Sequence, residues 1–156
     1  MKENIAIFSD SYYIDNPNRD ITEYWEYEIG DIYNCWLECK IWIKDPKTVI
    51  ETALKSKLYD WVIGLYDFAT TLLSYEGYKK ILINPTVSYS DLNNLSDFAI
   101  LHTYGFFDSE HEKDYGLFQS VYPHSFLFPE LKGLRLSDVR GIVTEILEVS
   151  QSDIGY

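Results

Sequence analysis

Long hydrophobic runs, cysteine and basic charge are all scarce in this chain. Apolar runs such as Ile5-Ala6-Ile7-Phe8 reach only four residues, against the roughly 20 needed to cross a bilayer, so no membrane span is expected. The same short run behind Met1-Lys2-Glu3-Asn4 is too brief for the core of a secretory signal, which leads us to expect a cytoplasmic protein. Cys35 and Cys39 are the only cysteines. A lone C-x-x-x-C without His or further Cys nearby supplies neither a zinc set nor a disulfide framework. Two buried, reduced thiols are expected, with no metal and no cofactor. Thirteen Lys and Arg against 25 Asp and Glu leave a formal charge of −12, which disfavours phosphate backbones and anionic membranes. Nucleic acid and membrane are therefore excluded as expected partners.

Aromatic residues, by contrast, are plentiful. Four Trp, 14 Tyr and eight Phe make up 17% of the 156 residues. That count excludes a disordered chain and supplies both a core and an interaction surface. The length fits a single domain spanning residues 1–156.

Short apolar runs alternate with segments whose apolar residues lie three and four apart, the patterns of buried parallel strands and of helices. Strands are expected at Ile5–Phe8, Cys39–Ile43, Trp61–Leu65, Ile81–Ile83, Phe98–His102 and Ser125–Phe128. Helices are expected over Asp20–Cys35, from Asp45-Pro46 to Leu58, Phe68–Glu76, Ser109–Val121 and Leu136–Val149. Asp45 precedes Pro46 as a cap precedes the first helical residue. In the last helix Val139, Ile142, Val143, Ile146 and Leu147 fall on one face. Six mainly parallel strands separated by helices define an α/β class with three αβα layers. Ligands of such sheets sit beyond the carboxyl ends of the strands. That directs attention to Ser9-Asp10-Ser11-Tyr12 after the first strand, to Tyr66-Asp67 after the third, and to Asn84 after the fourth.

The segment Trp61-Val-Ile-Gly64-Leu-Tyr66-Asp67-Phe68-Ala69, followed by a helix and by Gly77-Tyr-Lys-Lys-Ile-Leu-Ile-Asn84-Pro85, resembles the α/β-hydrolases, specifically the short YqiA-like bacterial esterases. Gly105-Phe-Phe-Asp108 is similar to the family's G-x-x-D, and Gly133-Leu134-Arg135 to its G-H-R. The resemblance implies a minimal hydrolase sheet of local strand order 2-1-3-4-5-6. It implies that Tyr66 stands at the nucleophile, Asp108 at the triad acid and Leu134 at the general base. A phenol is a bulky and weakly acidic substitute for Ser, and Leu accepts no proton. With two of three triad positions replaced, Asp108 has no His to orient there. Phe68 occupies the second glycine position of the G-x-S-x-G turn, which predicts that the strained elbow is absent. The implied protein is a hydrolase fold that has lost ester chemistry and works by binding a small ligand or a protein, a second copy included.

Other assignments compete with this one. Among the histidines, His111 is the candidate replacement base because it follows the carboxyl end of the fifth strand. A working acyl-ester hydrolase would use Tyr66, or a water between Asp10, Tyr66 and Asp108, with His111 as base. His102 is expected in the strand core and His124 at the opposite edge of the sheet. Asp67 is expected to cap the helix that starts at Phe68. The stretch from Asp108 to Asp114 has metal-ligand residue types but also fits the acidic first turn of a helix. A flavodoxin- or receiver-like module is the remaining alternative, on Asp10, Asp67 and Thr86 at strand ends. Thr103-Tyr104 stands where such a module would carry its Lys.

Overall fold

The computed structural model describes residues 3–9, 35–41, 45–56 and 58–154. Strand β1 (Glu3–Ser9) lies beside β3 (Trp61–Leu65), and β4 (Lys79–Ile83), β5 (Thr103–Asp108) and β6 (His124–Phe128) follow in turn, every neighbouring pair parallel. On the other flank of β1 runs β2 (Cys35–Ile41), with Leu37 opposite Ile5. Parallel returns need crossovers. Between β2 and β6 these carry the helices α1 (Pro46–Ser56), α2 (Asp67–Leu72), α3 (Asp97–Leu101) and α4 (Glu112–Gln119), and α5 (Arg140–Ile154) follows β6. The chain is thus an α/β protein, as expected from the alternation of apolar runs with helical periodicity.

Alternation along each strand divides the core in two. Ile5, Ile7, Trp61, Ile63, Ile81 and Phe106 face α5, where Val143 and Leu147, with Val139 just ahead of the helix, meet them. Ile142 and Ile146 pack around that cluster half-buried. Ala6, Phe8, Val62, Leu82 and Phe107 point to the other side, onto Ile50 of α1, Phe68 and Leu72 of α2, and Phe118 of α4. Both faces being covered, the strands read as continuous apolar runs. Asp45 stands before Pro46 and accepts from the Thr48 hydroxyl at 3.0 Å.

The fifth strand differs from expectation. Phe98–Leu101, expected to be strand, belongs to helix α3, which Ser96 caps by accepting from the Ala99 amide at 3.1 Å. The strand starts at Thr103 instead, and His102 ends the helix. A four-residue apolar run fits either element; the cap decides for the helix. The strand that forms carries Gly105, where an added Cβ would lie 2.6 Å from Phe118 Cε1. The shift puts Asp108 on the last residue of β5, at the carboxyl edge of the sheet. Smaller differences concern element ends. Helix α2 stops at Leu72, and Gly77 at φ 84° turns the chain into β4. Strand β2 begins at Cys35, earlier than Cys39. The expected helix over Asp20–Cys35 otherwise lies outside the described residues, and so does the expected burial of the two thiols.

Candidate functional site

Strand β3 turns into α2 at Tyr66, whose backbone takes φ 58° and ψ −115°. Such a conformation costs a non-glycine residue about 1–3 kcal/mol and persists only when its surroundings hold it. Here the Tyr66 amide donates to the Ile83 carbonyl at 2.8 Å, and its carbonyl accepts from the Thr70 amide at 2.9 Å. Gly64 lets the helix cross close to the strand, since a Cβ there would sit 2.6 Å from Leu72 Cδ1 and 3.0 Å from the Ala69 nitrogen. The strained elbow is therefore present, contrary to the expectation drawn from Phe68. The Phe68 ring does not crowd the turn: it leaves for the core and stacks on Phe8, with ring centroids 6.0 Å apart.

Three residues named from sequence, Tyr66, Asp108 and His111, meet at this edge. His111 Nδ1 lies 2.8 Å from Asp108 Oδ1, and its ring meets that of Tyr66 edge-on at 6.0 Å. Asp108 is 1% exposed. It does orient a histidine, three residues along the chain rather than at the position of Leu134. Its Oδ1 also accepts from the Glu110 amide at 3.0 Å, and Oδ2 accepts from Asn84 Nδ2 at 2.8 Å and from the Leu134 amide at 3.1 Å. Burial alone would raise this carboxyl's pKa. The hydrogen bonds from His111, Leu134, Asn84 and Glu110 outweigh burial and hold it below the usual range. Asp108 is thus an anion that ties together the ends of β4 and β5 and the segment ahead of α5.

Asn84 completes the tie from the other side. Its side-chain oxygen accepts from the Asp108 amide at 3.0 Å while its backbone N–H donates to the Phe106 carbonyl at 2.8 Å. At φ 52° and 2% exposure it occupies the left-handed region that Asn tolerates better than most side chains.

The Tyr66 hydroxyl donates to the Leu134 carbonyl at 3.0 Å. Leu134 therefore meets Asp108 through its N–H and Tyr66 through its C=O, with its side chain fully buried. This backbone role was the part of the site that side-chain chemistry did not signal. Asp67 is exposed and is the first helical residue rather than the cap, because the elbow itself supplies the N-cap position at Tyr66. Asp10, Ser11 and Tyr12, and the side chain of Ser9, lie outside the described residues.

The remaining histidines are at the opposite, amino-terminal edge. His124 stacks on Tyr104 at 4.2 Å, and His102, at the end of α3 rather than in a strand, packs on Phe98 at 4.6 Å. Burial, then Lys79 and His124, lower the pKa of His102. Among the described residues no group of three His, Cys, Asp or Glu is placed to hold a metal ion, and no helix is long and apolar enough to cross a membrane. No family model matches the chain, and no curated protein or solved structure matches it.

Proposed function

We propose that this chain is a catalytically degenerate α/β-hydrolase-like domain that acts by binding, with a minimal six-strand core in the order β2-β1-β3-β4-β5-β6. One observation carries the proposal: the Tyr66 hydroxyl is bonded to the Leu134 carbonyl, so the two residues standing where nucleophile and general base would be hold each other. A nucleophile must pass its proton to a base within about 2.6–3.2 Å. The Tyr66 proton is directed to a carbonyl, which does not take it, and Asp108 accepts four hydrogen bonds. What was a reaction centre in the family serves in this reading as a clasp that closes the segment ahead of α5 onto the sheet. The ligand would then occupy the edge around Tyr66, Asn84 and Asp67, or the partner would be a protein, a second copy of the chain included.

The Asp108–His111 pair favours one rival. A neutral ring that donates from Nδ1 to the carboxylate at 2.8 Å would present Nε2 as an acceptor, and His111 is 25% exposed. In that reading His111 activates a water against an acyl ester beside Tyr66. Steady-state hydrolysis of a short-chain chromogenic ester separates the two. The binding reading predicts rates equal to buffer for wild type, Tyr66→Phe and His111→Gln. Saturable turnover lost in His111→Gln would replace it with the hydrolase reading.

A further inference from the structure

The opposite end of β4 carries a second feature that the elbow does not use. Lys80 is 2% exposed, and its ammonium, with three donors to place, has one hydrogen bond among the described residues, to the Leu73 carbonyl at 3.2 Å. Among the described residues no carboxylate comes within ion-pair distance of it. Burial lowers its pKa to about 8, with Glu76 opposing that shift through space, so at neutral pH the group still carries its charge. On the next strand Thr103 is in register with Lys80 and projects to the same face, and its buried hydroxyl has no hydrogen-bond partner among the described residues. A buried cation with no ion pair among the described residues, beside a hydroxyl with no partner among them, is costly and calls for an explanation.

Lys80 lines a pocket of about 170 Å³, room for roughly five waters at about 30 Å³ each. Leu73, Leu95 and Ala99 give it an apolar wall, and Glu76 and Asp91 bring two carboxylates. Asp91 is held in place by the Ser88 amide and hydroxyl, which donate to its Oδ2 at 2.8 and 2.9 Å. The charges decide what fits. A simple anion would meet Lys80 but be repelled by the two carboxylates, and a simple cation would meet the reverse. A molecule with both charges close together satisfies all three groups.

We propose that this pocket binds a small zwitterion of the α-amino-acid type, its carboxylate on the Lys80 ammonium, its ammonium toward Glu76 and Asp91, and a short apolar side chain against Leu73, Leu95 and Ala99. The site is independent of the elbow and stands whether or not the chain hydrolyses esters.

Isothermal titration of the full chain with glycine, L-alanine, L-valine and L-leucine tests it, beside two analogues of leucine that carry one charge each, 4-methylpentanoate and 3-methylbutylamine. At least one amino acid is expected to bind saturably at one site, tenfold or more tighter than either analogue. Lys80→Met is expected to abolish that binding. Glu76→Gln, at an exposed position that leaves the fold intact, is expected to weaken the amino acid severalfold while strengthening 4-methylpentanoate. The proposal is overturned if none of the four amino acids gives saturable heat, if 4-methylpentanoate binds as tightly as leucine, or if Glu76→Gln leaves both affinities unchanged.

Discussion

Replacing Lys80 by Met should stabilise the protein at neutral pH, although it removes a hydrogen bond. A fall in pKa from 10.5 to about 8 means that keeping the ammonium charged in the folded state costs about 3 kcal/mol at 1.36 kcal/mol per unit. Losing the bond to the Leu73 carbonyl takes back about 1 kcal/mol, which leaves a gain of about 2 kcal/mol at pH 7. The sign with pH follows from proton counting. Between the folded value near 8 and the unfolded value of 10.5 the unfolded chain binds more protons, so wild-type stability rises with pH across that window. By pH 9.5 the wild type should have recovered about 2 kcal/mol, and the advantage of Met should have shrunk toward zero. The buried Tyr122, pushed up to about 12, acts in the opposite direction only above the ordinary tyrosine value of 10 and cancels between the two proteins. Guanidinium unfolding of both at pH 7 and pH 9.5 reads the difference directly. An advantage that is absent at pH 7, or that is the same at both pH values, would refute this reasoning.

Further outcomes concern the elbow. Asp108→Asn leaves two of the four N–H groups around the carboxylate facing an amide that cannot accept from them, at a cost of about 3 kcal/mol in urea unfolding. Because the pKa of Asp108 is lowered in the fold, its contribution is present above the unfolded carboxyl value and is lost as pH falls through the folded one, so the deficit of the Asn variant should narrow in acid. Tyr66→Phe removes the donor to the Leu134 carbonyl and should cost about 1 kcal/mol by the same measurement. Gly64→Ala forces a Cβ to within 2.6 Å of Leu72 Cδ1 and 3.0 Å of the Ala69 nitrogen, and should lower stability by about 1–3 kcal/mol through overpacking; a change under 0.5 kcal/mol in the melting analysis would show that α2 can move off β3.

Much of the framework could be read from the chain because burial on both faces writes itself as apolar runs. Trp61–Leu65 was legible to the residue, since all five positions are buried. Phe98–Leu101 was not, because its strand-like composition hid a helix that one hydrogen bond from Ala99 to Ser96 secures. The Asp108–His111 contact was within reach of sequence reasoning, the two being three residues apart after a strand end. The elbow was not, because the bulk of Phe68 argued against it while the side chain finds its room beside Phe8. Leu134 acts through its backbone, which an apolar side chain does not announce. A lysine at the start of a strand gives no sign in the sequence of being buried, as Lys80 is.

In the function we propose, Tyr66 and Leu134, which stand where the hydrolase resemblance would put nucleophile and base, hold each other and perform no acyl transfer. Rapid mixing of micromolar protein with a chromogenic acetate ester, wild type beside Tyr66→Phe, tests it most directly through the early release of the leaving group. No burst and no turnover above buffer is expected in either protein. A burst approaching one equivalent in the wild type, lost in Tyr66→Phe, would show an acylated tyrosine at the elbow and contradict it.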